Sequence, residues 1–335
     1  MMISDQYAVE RWTPAARATA VVSLAIILAL LFIPLFASSN IIVKLTTLFI
    51  YILIACMWNA LAGYGGLLSV GQQAFFGLGA YGVIIASNSS IPAYPSIVVG
   101  TLIGGLASLP LAIIMLRLKG GEFAIGMWVV AAVIHLLVNF DGLVQGETGI
   151  SFIALNAFSP LDRLQYNYWI TFAGLLLFLA IIYFILRSRL GAAIQAIRDD
   201  EVAASSVGVS VSNGRLIIFV VTAFGCAAAG ALWLATAITF QPKTYFGINW
   251  TAYMIFMVLV GGIGTFEGPI LGAILFFLLQ DQFGDFGVWY LIVLGCAAIF
   301  FALFFPRGIW GTISDKWNVR LISLGFRVVQ KNTRQ

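Results

Sequence analysis

Charge is what this sequence has least of. Asp, Glu, Lys and Arg make up 9% of its 335 residues, where an ordinary soluble domain has about one quarter. Such a chain cannot cover a water-facing surface, so a soluble globular protein is excluded. Histidine is scarcer still: His135 is the only one, which excludes a histidine-cluster metal site. Cys56, Cys226 and Cys296 stand in apolar stretches without metal-ligand spacing, so they read as small buried hydrophobes and not as a disulfide framework. No G-x-x-x-x-G-K-(S/T) run occurs, so no phosphate loop of that kind binds ATP here. The clustered His, Asp and Glu of a membrane-embedded enzyme are missing too. The expectation is a chain with no metal, no cofactor, no catalytic residues and no nucleic-acid partner.

What is abundant is apolar sequence, 61% of residues. It comes in runs of about 20 residues, the length of a membrane-crossing helix, and not in the alternating segments of about 10 that build a barrel. The expected fold class is all-α and polytopic, embedded in membrane lipid, with about 8–10 transmembrane helices. The runs are 18–37, 44–62, 67–87, 94–116, 122–140, 168–186, 214–239, 249–263, 267–281 and 287–305. The eighth and ninth are short and flank GGIGTFEGP, so each reads as a crossing or as a broken or re-entrant helix. The opening MMISDQYAVERWTPAAR carries Asp5 and Glu10 and reads as a retained segment, not a signal peptide. The organisation expected is an N-terminal segment 1–17, a membrane domain 18–305 containing a polar loop 187–214, and a C-terminal tail 306–335.

Basic residues set the orientation. Arg11 and Arg17 precede the first run, Arg117 and Lys119 follow the fourth, and Arg187, Arg189, Arg198 and Arg215 lie between the sixth and seventh. Arg307, Lys316, Arg320, Arg327, Lys331 and Arg334 follow the last. With an even number of crossings all of these share one face, which the positive-inside rule makes cytoplasmic, with both termini inside. The opposite loops hold Lys44, Arg163 and Lys243 beside Asp141, Glu147, Asp162, Asp281 and Asp285.

The loop RSRLGAAIQAIRDDEVAASSVGVSVSNGR is the most polar stretch, yet it is patterned. Asp199 or Asp200 suits a helix N-cap, Glu201 its first turn, and Gly208 a left-handed close. A helix of about two turns is too short to stand alone in water. It is either a solvated connector or a docking element for a soluble partner, with Ala203 and Ala204 as a smooth face.

A second polar concentration, GYGGLLSVGQQAFFGLGAYG, begins at Gly63. Gly63, Gly65 and Gly66 suit a tight inner turn, and Gly71, Gly77, Gly79 and Gly82 suit close helix contacts in lipid. Gln72 and Gln73 point about 100° apart on a helix, and a buried amide needs partners. They are interhelical glue, or Gln72 with Ser69 lines a polar path. His135 reads as a neutral imidazole bonded between helices, with a proton relay as the alternative. Glu267 reads as a span-boundary carboxylate ahead of Pro269. Gly100/Gly104 and Gly268/Gly272 read as packing pairs.

Three blocks carry a family resemblance: NALAGYGGLLSVGQQAFFGLGAYG, AIRDDEVAASSVGVSVSNGRLIIFVVTAFGCAAAGAL and VLVGGIGTFEGPILGA. Together they resemble permeases of branched-chain amino acid ABC importers, the LivM type, over about residues 40 to 305. The outer loop departs from that family's T-G-G-x-x-G pattern, with Val144, Gln145, Gly146, Glu147, Thr148 and Gly149 in its place. The resemblance implies coupling to an ATPase through Arg198, Asp200, Glu201, Ala203, Ala204 and Gly208. It also implies a core translocation region containing Ser69, Gln72, Gln73, Gly77 and Gly79, and an outer loop containing Glu147, Thr148 and Gly149. The implied partners are a second related permease, two ABC ATPase subunits and an extracytoplasmic binding protein, at the cytoplasmic (inner) membrane. Branched-chain amino acids are the implied cargo; urea or short amides, carried by similar permeases, are the alternative. A stand-alone secondary transporter or channel would need ionisable pairs at mid-membrane, and only His135 is there.

Overall fold

A computed structural model describes residues 7–10, 14–305, 307–317 and 327–330. Arg11, Arg320, Lys331 and Arg334 of the expected positive face lie outside them, as does Asp5. The apolar runs form helices α1 (Pro14–Phe32), α2 (Ser39–Asn59), α3 (Gln73–Asn88), α4 (Ala93–Leu106), α5 (Ser108–Met115), α6 (Gly120–Asn139) and α7 (Pro160–Arg187). The polar loop forms α8 (Arg189–Asp199) and α9 (Glu201–Ser206). Then come α10 (Val211–Ala237), α11 (Pro242–Tyr245), α12 (Asn249–Gly261), α13 (Gly268–Phe283), α14 (Val288–Phe304) and α15 (Gly308–Trp317). Pro110, which lacks an N–H, follows the break at Ala107 between α4 and α5.

Contacts at the two ends of the bundle trace the path of the chain. At one end Arg198 reaches the Gly63 carbonyl, Glu201 meets Lys119 and Arg215, Asn59 binds Thr265, and Gly262 lies against Arg307. At the other, Gln165 reaches the Pro34 carbonyl, Lys44 pairs with Asp281, Tyr81 binds Asp141, and Lys243 binds Glu147. Over the described residues the chain therefore passes end to end ten times. Seven of the described helical segments have the length and composition to cross a membrane. The passes made by α3, α13 and α14 are shorter. The strand Tyr7–Glu10 pairs antiparallel with the strand Arg327–Gln330, so the segments before α1 and after α15 lie together.

The core lies where α2, α3, α10 and α12 meet. Every residue of α2 from Phe49 to Asn59 is buried. The rings of Trp250 and Phe76 pack at 4.1 Å, and that of Tyr51 meets Phe276 at 5.2 Å. A methyl added at Gly79 would collide with the Ala227 carbonyl, and Gly104 lies against the Gly79 backbone. In lipid, where burial gives no drive between helices, such backbone approach supplies the attraction. Gly268 and Gly272 meet the backbone of Gly261 in the same way. α1 and α14 stay peripheral with exposed apolar side chains, Val21 at 69% and Leu303 at 72%.

Two expectations need correction. The third run begins its helix at Gln73, not 67, because residues 65–72 are unwound. The short pair α12 and α13 does not turn back: each runs between the two ends of the bundle, with Thr265 held by Asn59 at one end and Asp281 by Lys44 at the other.

Candidate functional site

The polar loop builds a compact unit at one end of the bundle. Ser188 caps α8 by accepting from Leu190 N at 3.1 Å. α8 buries Gly191, Ile194 and Ile197, and the Ile197 side chain lies against Gly214 of α10. Asp200 then caps α9, accepting from Val202 N at 2.9 Å and Ala203 N at 3.0 Å. Asp199 does not cap; it accepts from Arg198 at 2.9 and 2.7 Å. Gly208 closes α9 at φ +87°, left-handed backbone that a side chain disfavours.

Glu201 anchors this unit. Its carboxylate lies 2.9 Å from Arg215 of α10 and 3.3 Å from Lys119 at the start of α6. Partial desolvation pushes its pKa up, but the hydrogen bonds and charges of Lys119 and Arg215 outweigh that and hold the carboxyl below its ordinary range. On α9, Ala204 is 4% exposed and packs inward, whereas Val202 and Val207 are 77% and 79% exposed. Ala203 is exposed as well. The expected common face of Ala203 and Ala204 is corrected: the two are split between inside and outside, and valines carry the outward surface.

From this unit Arg198 reaches into the bundle. Its Nη1 donates to the Gly63 carbonyl at 2.7 Å, and its stem lies against Gly66. There α2 ends in a π-helical turn, Ala60–Tyr64, a geometry common at functional sites. Asn59 stitches the turn to the loop after α12, donating to Thr265 O and accepting from Gly264 N, both at 2.8 Å.

The unwound segment follows. Trp58 Nε1 donates to Ser69 O at 2.9 Å, and Gly71 fits against the Met127 carbonyl with no room for a side chain. Both contacts lie about 10 Å inside the end of the bundle, at 1.5 Å of helix per residue. Ser69, Gly71 and Gln72 are buried there, while Gly66 and Leu68 are exposed; unwound backbone at that depth is tolerated where protein encloses it or where it lines a cavity. Ser69 Oγ accepts from Gly71 N at 3.2 Å. Gln73 is glue: its Oε1 accepts from Thr251 of α12. Gln72 differs. Its side chain is fully enclosed, and neither amide atom has a partner among the described residues. Gly77 and Gly79 are packing contacts within this chain, against Phe246 and Ala227.

At the opposite end Glu147 is the hub. It accepts from Lys243 N at 2.9 Å and lies 2.9 Å from His135 Nε2. His135 is near the end of α6, not mid-span, and its ring stacks on Phe246. Thr148 donates to Gln145 O at 2.6 Å. Gly149 lies against the Phe240 carbonyl at φ +78° and precedes the Ile150–Phe240 strand pair. Asp141 accepts from Tyr81 and from Leu143 N, and these bonds hold its carboxyl below its ordinary range. No cluster that could hold a metal ion occurs among the described residues.

Sequence reading missed the roles of Asn59, Trp58, Thr251 and Lys119. Asn59 had a signal, since it opens the N-A-L-A-G block; Thr251 had none.

Comparison with known proteins agrees with this architecture. The chain is 26% identical over 292 residues to the high-affinity branched-chain amino acid transport system permease protein LivM of Escherichia coli, covering 79% of this chain and 68% of that one. A probable branched-chain amino acid transport permease of Methanocaldococcus jannaschii is 24% identical over 189 residues, 55% of this chain and 52% of that one. The fructose import permease protein FruG of Bifidobacterium longum is 24% identical over 248 residues, 69% and 72% of the two chains. Residues 40–303 match the family model described as branched-chain amino acid transport system / permease component, and the chain belongs to that family.

Proposed function

We propose that this chain is a membrane-spanning subunit of an ABC importer in the inner membrane and passes branched-chain amino acids inward. ATP is hydrolysed by two separate subunits docked at the α8–α9 end, which is the cytoplasmic end and carries both termini. A second related permease completes the path, and an extracytoplasmic protein delivers cargo to the Glu147–Gly149 end. Arg198, Asp200, Glu201, Ala203, Ala204 and Gly208 form and hold the coupling element. Ser69, Gln72 and Gln73 belong to the path or its wall, with Gly77 and Gly79 closing the helices behind them.

The observation that carries this reading is the connection between α9 and Gln72. A capped two-turn helix offers Val202 and Val207 outward, which no part of the described chain covers. The same unit grips the π-helical turn through Arg198, and that turn leads directly into the unwound segment that ends at Gln72. Movement of α9 by an ATPase pair would thus shift the enclosed amide. An alternating-access step needs such a two-state element.

The test is reconstitution in liposomes with the ATPase, permease and binding-protein subunits. ATP-dependent uptake of leucine, isoleucine or valine exceeding that of urea and fructose is the expected result. Uptake independent of ATP would overturn the importer reading, and preference for urea would overturn the cargo.

A further inference from the structure

We propose that the cleft between α2, α7 and α10, at the Glu147 end, is a binding site for the headgroup of an aminophospholipid such as phosphatidylethanolamine. The cleft holds about 190 Å³ and is lined by Thr46, Arg163, Asn167 and Thr236, with Val43 and Ile238 as apolar wall.

Two groups in it lack what their chemistry calls for. Asn167 is 6% exposed, and its Nδ2 donates to the Ala235 carbonyl at 2.7 Å, which fixes the amide orientation. Its Oδ1 is left buried with no donor. The neighbouring hydroxyls do not supply one: Thr46 donates to Ile42 O at 2.8 Å and Thr236 to Leu232 O at 3.3 Å. Arg163 stands four residues before Asn167, on the same helix face. Among the described residues no carboxylate lies within ion-pair distance of it. The site therefore calls for an anionic oxygen at Arg163 and a hydrogen-bond donor at Asn167, one helical turn apart. A phosphate carrying an ethanolamine ammonium has both.

A free amino acid has the same two charges, and depth favours the lipid. Tyr94, Phe158, Tyr166 and Trp169 form a continuous set of ring contacts on and beside the first turns of α7, with centroids 5.0 to 6.5 Å apart. Tyrosine and tryptophan girdles sit at headgroup level.

The experiment is native mass spectrometry of the full chain in its purified membrane complex, delipidated and then titrated with phosphatidylethanolamine, phosphatidylcholine, phosphatidylglycerol or leucine. Phosphatidylethanolamine should be retained about tenfold better than phosphatidylcholine, which offers Asn167 no N–H donor. It should also exceed phosphatidylglycerol, whose hydroxyls offer Asn167 only a neutral donor where the ammonium offers a charged one. Arg163→Gln should weaken retention of all three lipids, and Asn167→Leu should remove the preference for ethanolamine. Equal retention of the three lipids, or retention unchanged in Arg163→Gln, would overturn the proposal. So would leucine displacing the lipid in an Arg163-dependent way, which would assign the cleft to a free amino acid.

Discussion

Arg198 holds the Gly63 carbonyl at 2.7 Å with one arm of its guanidinium while the other two nitrogens hold Asp199. One side chain thereby joins the polar loop to the π-helical turn that ends α2. The planar fork serves both partners at once, and an ammonium cannot. Arg198→Lys should therefore keep the charge and the fold but lower ATP-driven uptake by about tenfold, the equivalent of one charge-assisted hydrogen bond. The readout is the ratio of uptake to ATP hydrolysis in liposomes. An unchanged ratio would remove Arg198 from the mechanical link.

Gln72 yields a prediction with opposite signs for stability and transport. A buried amide with no partner costs about 1–3 kcal/mol, and Gln72 has none for either atom. Gln72→Leu should raise thermal stability in detergent and depress uptake. A variant that is less stable would mean that a water or another chain satisfies the amide. Normal uptake would mean that the path does not use it.

Much of this was legible in the sequence, and the physical reason differs by part. The helices follow from apolar runs too long for anything else, and α9 from Asp200, Glu201 and Gly208 at cap spacing. The unwound segment was not legible as such. LLSV is as apolar as a helix interior, and only the tertiary contacts of Trp58 and Met127 show that it leaves the helix. The inward turn of Ala204 was equally hidden, because Ala203 and Ala204 have the same side chain and only the position of α8 tells them apart. Glu147 was placed in the right loop, but its pairing with His135 needed the fold.

Acid should loosen the coupling unit. The Glu201 carboxyl is held below its ordinary pKa of 4.5. A depressed carboxyl contributes stability above its unfolded pKa and loses it as pH falls through the folded value. Hydrogen exchange of residues 200–208 should therefore be constant from neutral pH to about 5, once corrected for intrinsic rates, and rise below about 4.5. Glu201→Gln should show the faster exchange already at neutral pH. Exchange independent of pH in the wild-type chain would deny the anchor.

Gly208→Val places a β-branched residue at φ +87°, where the left-handed conformation costs about 1–2 kcal/mol. The cost should fall on α9 alone, since nothing packs within 4 Å of a side-chain carbon added there. Faster exchange in α9 with unchanged global melting is expected. A drop in the global melting temperature would mean that the turn supports the bundle as well.

If the outward face of α9 receives the ATPase stroke, the double variant Val202→Asp, Val207→Asp should interrupt it. Both side chains are more than three-quarters exposed, so the chain itself should fold and insert as before. The measurement is leucine-stimulated ATP hydrolysis by the reconstituted importer with its binding protein. Stimulation should be lost, or the ATPase subunits should no longer co-purify. Full co-purification with normal leucine-stimulated hydrolysis would contradict that role of α9.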